Sequence, residues 1–119
     1  MVIERDDLRM WREYQAGERL PPVHPGEILQ EDYMAPLGLT QSQLARDLGI
    51  SFRRLHEIVN GKRAITAETS LRLAKYFGVA PGYWLSLQLA FDLRRAMAKL
   101  PYDQLVVGSV PAAHVPHSA

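Results

Sequence analysis

The chain has 119 residues, enough for one domain with a modest core. It has no cysteine, which excludes disulfides, thiolate zinc sites and cysteine nucleophiles. A net charge of +1 hides an asymmetry: residues 1–33 carry four Arg against eight Asp or Glu, whereas residues 40–75 carry seven Lys or Arg against three acids. The positive charge therefore gathers in the middle of the chain, where it suits phosphates, and the acidic first third suits a basic protein partner. No run approaches the ~18 apolar residues that would span a membrane. The start lacks a basic stretch followed by an apolar one, so no secretory signal is expected and a cytoplasmic location fits.

Taken in chain order, residues 1–22 read as an N-terminal extension. A helix within 4–16 would bring Leu8, Trp11 and Tyr14 to one side, either as a flap over the chain's own domain or as an arm offering aromatic anchors to a partner. Pro21, Pro22 and Pro25 mark a linker, and Pro25 suits the first position of helix 1, where no amide hydrogen is needed. His24 is placed to cap that helix, Ile28, Leu29 and Tyr33 line it, and it is expected to stop before Pro36 and Gly38.

The most informative stretch is 40–61. Thr40 and Gln43 form a capping box that opens helix 2, and Leu44, Ala45 and Leu48 give it one apolar face. Gly49 ends it in the left-handed conformation, and Ser51 caps helix 3, whose buried stripe is Ile50, Leu55, Ile58 and Val59. Ala45 supplies the small side chain that two steeply crossed helices need. This is a helix-turn-helix. Winding helix 3 at about 100° per residue with Leu55 inward puts Arg53, Glu57 and Asn60 near the opposite pole, flanked by Arg54 and His56. Arg pairs with guanine, Asn with adenine, and Glu accepts from cytosine, so this face could enter a major groove. A solvated i, i+4 ion pair between Arg53 and Glu57 is the plainer alternative. Ser51 and Phe52 open the same helix, Gln41 opens helix 2 close by, and Lys62 and Arg63 lie in the loop 61–64; with the face of helix 3 they complete the expected DNA-binding set.

Thr66 caps helix 4, with Leu71 and Ala74 inward, Leu73 and Phe77 as further inward candidates, and Gly78 at its end. Helix 5 begins near Pro81 and runs to about Leu100, stopped by Pro101. It is apolar on two faces. Trp84, Leu87 and Phe91 form one stripe, Leu85, Leu89, Leu93 and Leu100 the other. Packing on helices 1–4 uses about one face, so the second stripe needs another cover, either a thicker core, the N-terminal segment or a second copy of the chain. The twofold symmetry of DNA sites favours a homodimer. Residues 101–119 read as a flexible tail in which Leu105, Val106 and Val107 could add an edge strand, though frayed coil is the simpler expectation.

The residues together resemble a known family. His24-Pro25-Gly26-Glu27-Ile28-Leu29, the helix-turn-helix, 60–66 (Asn-Gly-Lys-Arg-Ala-Ile-Thr) and Tyr83-Trp84-Leu85-Ser86-Leu87-Gln88 with Asp92-Leu93 resemble the HigA/VapI branch of phage-repressor-like helix-turn-helix proteins, over about residues 24–96. The resemblance implies an all-α, five-helix domain over 23–100 that dimerises, binds a palindromic double-stranded operator and represses its own operon. It also implies an antitoxin paired with a HigB/RelE-like, messenger-RNA-cleaving toxin. The extension 1–20 and the Pro-rich tail are longer than the family core, so their roles do not carry over, and Leu8, Trp11 and Tyr14 are candidate toxin contacts on the reading of the residues alone. A stand-alone repressor without a toxin uses the same helices and is the alternative. Ala80 stands where the family often has a Ser or Thr cap, an expected cost of about 1 kcal/mol.

Enzyme readings find little support. The histidines at 24, 56, 114 and 117 show no zinc-protease spacing, and no Gly-rich phosphate loop appears. Glu27, Glu31 and Asp32 lie on one short helix and read as a solvated face. His114 and His117 alone do not make a metal site. No cofactor and no catalytic residue is expected.

Overall fold

The computed structural model describes residues 22–108, and within them the chain is all helical, with no strand. Helix α1 (residues 25–37) runs through three consecutive segments, Pro25–Ile28, Leu29–Met34 and Ala35–Leu37. It is followed by α2 (Gln41–Leu48), α3 (Phe52–Val59), α4 (Ala67–Phe77) and α5 (Tyr83–Lys99), then a 3-10 turn at Tyr102–Gln104.

The middle segment of α1 is a π-helix, and Pro36 gives the physical reason. Its ring has no N–H and would strike the carbonyl four residues back in a regular helix. The ladder widens instead, and Ala35 N–H bonds to Gln30 O, five residues back. The expectation that helix 1 stops before Pro36 is thus corrected: α1 carries the proline and ends at Gly38. The wider turn also brings residues five apart toward one side. Met34 therefore joins Leu29 in the core, both fully buried, an inward position that the ordinary helical period does not pick out.

The core is built by all five helices: Leu29 and Met34 of α1, Leu44, Ala45 and Leu48 of α2, Leu55 and Ile58 of α3, Leu73 and Ala74 of α4, and Trp84 of α5. Tyr33 and Phe77 pack their rings near Trp84, with Tyr33 4.8 Å from it centroid to centroid. Gly26 is the point where α1 approaches α3 most closely. A Cβ there would overlap the Ile58 carbonyl oxygen, so the residue must be glycine for this packing to form.

On α4 the inward face differs from the expectation. Leu71 is 57% exposed, whereas Thr69 and Ser70 are buried. Leu73 and Ala74 set the buried side, and Leu71 lies two residues before Leu73, about 200° around the helix. Two small polar residues take the inward places because their hydroxyls find partners. Ser70 Oγ donates to Pro81 O at 2.8 Å and accepts from Leu85 N–H at 3.2 Å. That second bond also revises the expectation for Ala80. The residue preceding α5 is Gly82, with no side-chain cap of its own, and the orphan amide at Leu85 is satisfied across the fold by Ser70.

Along α5, Trp84 is buried and Leu87 and Phe91 are half-buried, as the first stripe requires. The second stripe, Leu85, Leu89, Leu93 and Leu100, is open to solvent, Leu89 at 59%. After Leu100 turns extended ahead of Pro101, residues 105–108 are exposed and form no strand. The Leu8, Trp11 and Tyr14 arm, His114 and His117 lie outside the described residues. No described helix is long and apolar enough to cross a membrane.

Candidate nucleic-acid interface

The turn between α2 and α3 is closed entirely by local bonds. Thr40 Oγ1 accepts from Gln43 N–H at 3.1 Å and opens α2. At its far end Gly49 takes φ +73°, Gly49 N–H reaches Arg46 O at 3.2 Å, and Ile50 N–H reaches Ala45 O at 3.0 Å. This pair of bonds wraps the chain back on α2 and leaves Ile50 against the core. Ser51 then caps α3 through Arg54 N–H at 3.1 Å. Ser51 is thus explained as a cap, whatever else its exposed hydroxyl meets.

Three further ties fix α2 and α3 on α4. Arg72 donates to Leu48 O at 2.8 Å, satisfying a terminal carbonyl of α2, while Glu68 holds the same guanidinium at 2.9 Å. Tyr76 O–H donates to Asp47 at 3.0 Å. Arg54 donates to Thr69 Oγ1 at 2.7 Å and lies 3.7 Å from Glu68. The sequence places Arg54 beside the outward face of α3, but the fold turns its half-buried guanidinium back onto α4. It holds the recognition helix in place.

What remains outward is a connected set. Arg53 is 86% exposed along its side chain and 3.9 Å from Glu57. The i, i+4 pair weighed against DNA reading is present but long. Glu57 is held mainly by Arg63, whose Nη2 and Nε donate to the same carboxylate oxygen at 2.8 and 3.1 Å. That bond, above all, keeps the Glu57 carboxyl below its ordinary pKa, so it stays ionised. On the other flank, Gln41 of α2 meets His56 at 2.9 Å, His56 meets Asn60 at 2.9 Å, and Phe52 stacks on the imidazole at 5.6 Å. Lys62 is exposed beside them. All ten residues singled out from the sequence therefore lie on α3, its two flanking residues, the adjoining end of α2 or the loop that follows, with Arg54 turned inward among them.

The loop that presents Lys62 and Arg63 is anchored by residues that sequence reasoning passed over. Lys62 N–H bonds to Glu57 O at 2.8 Å, and three residues later Ile65 is buried. Ile65 N–H donates to Gln88 Oε1 at 2.8 Å, and Gln88 Nε2 donates to Asp92 at 3.0 Å. Gln88 is only 5% exposed. Its signal was available: it sits four residues after Trp84, on the inward stripe of α5. His24 completes the anchorage. Its Nδ1 accepts from Gly26 N–H at 2.9 Å, its other side is bonded to the Arg63 backbone, and its ring meets Phe91 edge-on at 4.8 Å.

The comparisons with known proteins agree with this geometry. Residues 31–84 match the helix-turn-helix family model. Virulence-associated protein I of Dichelobacter nodosus is 49% identical over 77 residues, 65% of this chain and 71% of that protein. The chain belongs to the phage-repressor-like helix-turn-helix family. Within that family it lies in the HigA/VapI branch. An addiction module antidote protein of the HigA family from Coxiella burnetii superposes with a TM-score of 0.69 at 41% identity, over 75% of this chain and all of that one. The Pseudomonas aeruginosa antitoxin HigA, solved with the higBA promoter, gives 0.64 at 35% identity over 66% of this chain and 85% of that one. The family match runs from within α1 across the turn to the first residues of α5.

Proposed function

We propose that this chain is a sequence-specific DNA-binding antitoxin that, as a homodimer, represses its own operon and neutralises a HigB-type messenger-RNA-cleaving toxin. The observation that carries the reading is the outward face of α3, with Arg53 free to reach a base and Lys62 and Arg63 beside it for phosphates. The HigA solved with its promoter supports DNA as the ligand. One helix-turn-helix makes too few base contacts to find a unique site, and two would sit about 34–36 Å apart on one face of the duplex. The open leucine stripe of α5 is the surface we assign to joining them.

Operator binding tests the reading directly. Arg53→Ala should cost about 1–3 kcal/mol on the preferred sequence and relax the preference at one base pair. Lys62→Ala should weaken all sequences alike and flatten the salt dependence. If Arg53→Ala leaves affinity and preference intact in a gel-shift series, α3 does not lie in the groove.

The toxin half of the proposal rests on the aromatic segment 1–20, where Leu8, Trp11 and Tyr14 are the candidate anchors; its five acids against four Arg leave a balance of only −1, so the apolar contacts carry the idea. Deleting residues 1–20 should preserve operator binding and weaken toxin binding in calorimetry. Equal toxin affinity for both forms would move the toxin surface to the helical domain. A full-length chain with no affinity for the product of an adjacent toxin-like gene would leave the stand-alone repressor.

A further inference from the structure

The Gln41–His56–Asn60 chain does more than brace the recognition helix. A neutral imidazole has one N–H and one acceptor nitrogen, and each primary amide has one donor end and one acceptor end. His56 has an amide on each side: Gln41 Oε1 at 2.9 Å from Nδ1 and Asn60 Nδ2 at 2.9 Å from Nε2. The pattern is self-consistent. Nδ1–H donates to the Gln41 oxygen, and the Asn60 amide donates to bare Nε2. Phe52, stacked on the ring at an interplanar angle of 17°, holds the imidazole in the plane where both bonds are made.

We propose that His56 is the positioning residue that decides which edges Gln41 and Asn60 show to the bases, so that protonating one imidazole changes the base this face prefers. The inference rests on the DNA-reading role of α3 proposed above. With His56 neutral, Asn60 keeps its carbonyl oxygen and one amide hydrogen outward. That acceptor–donor pair fits the N6–H and N7 of adenine. With His56 protonated, both ring nitrogens are donors. Asn60 must then turn its oxygen to Nε2 and shows only N–H groups outward, a pattern that fits the N7 and O6 acceptors of guanine. Gln41 already presents its amide hydrogens outward and keeps doing so. The charged groups around His56 are Glu57, next to it on α3, and Arg53 and Arg63, which share that carboxylate. From α2 the group that meets the ring is the uncharged Gln41.

The test is selection of bound sequences from a random double-stranded DNA library by the full chain, at about pH 8 and about pH 5.5, on either side of the range where imidazoles titrate. The wild-type chain should enrich adenine at one position of each half-site at the higher pH. Its adenine-over-guanine ratio there should fall roughly tenfold at the lower pH. His56→Gln keeps an amide able to bond both neighbours but cannot take up a proton, so its preference should be the same at both pH values. An unchanged wild-type preference, or an equal shift in His56→Gln, overturns the inference. Arg53→Ala, run in parallel, separates the two proposals: if it loses base preference while the wild type is indifferent to pH, DNA reading stands and the role of His56 falls. No enriched sequence at either pH overturns both.

Discussion

His24 shows how much one side chain can hold together. Its ring caps α1, bonds the backbone of the loop that carries Arg63 and packs on Phe91 of α5. The capping bond requires the neutral imidazole, whose bare Nδ1 accepts from Gly26. Burial lowers its pKa below 6.5, outweighing the raising influences of Asp92 and the Arg63 bond, while Arg95 lowers it a little further. The sign of the pH effect follows. As pH drops below 6.5, the unfolded chain takes up a proton that the folded chain refuses, so stability is fully present above that value. It then declines until the folded-state group protonates too. Urea midpoints should therefore fall between about pH 7.5 and pH 5.5, and His24→Asn, which keeps a capping oxygen, should flatten that slope. An equal slope in both proteins would assign the pH dependence to other groups. Arg63 carries a similar double role at this scale. Replacing it removes one of the exposed cations proposed to meet phosphates and also releases the ionised Glu57 carboxylate on the same face.

At the scale of elements, α4 is the frame on which the helix-turn-helix is mounted. Arg72, Tyr76 and Thr69 reach to α2 and α3, and Ser70 reaches to the start of α5. Ser70→Ala would leave both Pro81 O and Leu85 N–H without this partner. Both bonds are only part-buried, so the loss falls toward the lower end of the about 1–3 kcal/mol that an unsatisfied buried group costs. The variant should thus be destabilised by about 1–2 kcal/mol in chemical denaturation, with the first turn of α5 exchanging its amide hydrogens faster. A loss confined to a few tenths of a kcal/mol would mean that water replaces the hydroxyl at no real cost. The π-segment of α1 makes the same point about elements. A proline in a helix is tolerable where the neighbouring backbone can re-pair, and Ala35 does so with Gln30.

At the scale of the molecule, one surface is left over. The inner stripe of α5 is used up by the core, and Leu85, Leu89, Leu93 and Leu100 remain open. Charging the centre of this stripe, as Leu89→Glu with Leu93→Glu, places two carboxylates where a second copy would have to desolvate them without partners. That cost, several kcal/mol per ion, should dominate association. Since Trp84, Leu87 and Phe91 are untouched, the helical circular dichroism should persist. Sedimentation as a dimer and tight operator binding should be lost together. A double variant that still sediments as a dimer would place the interface elsewhere, and one that unfolds would show that these leucines support the core.

Helix order, caps and turn were legible in the residues because they are decided locally. Thr40, Gly49, Ser51, Thr66 and Gly78 act within a few bonds of their own position, and the outward pole of α3 follows from its period alone. The charge asymmetry and the surplus leucines of α5 were equally open to reading. Three things were not legible in this way: one turned on a local change of helical period, the other two on tertiary contact. Leu71 faces solvent because the hydroxyls of Thr69 and Ser70 find partners on other helices, which no apolar periodicity reports. Met34 is buried because the backbone widens before Pro36, changing the period itself. Arg54 turns inward, and Gln88 pins the loop after α3, because their partners lie 15 and 23 residues away in the chain. A capping residue carries its reason beside it, whereas a buried hydroxyl, a turned guanidinium or an anchored loop has its reason on another helix, and only folding brings the two together.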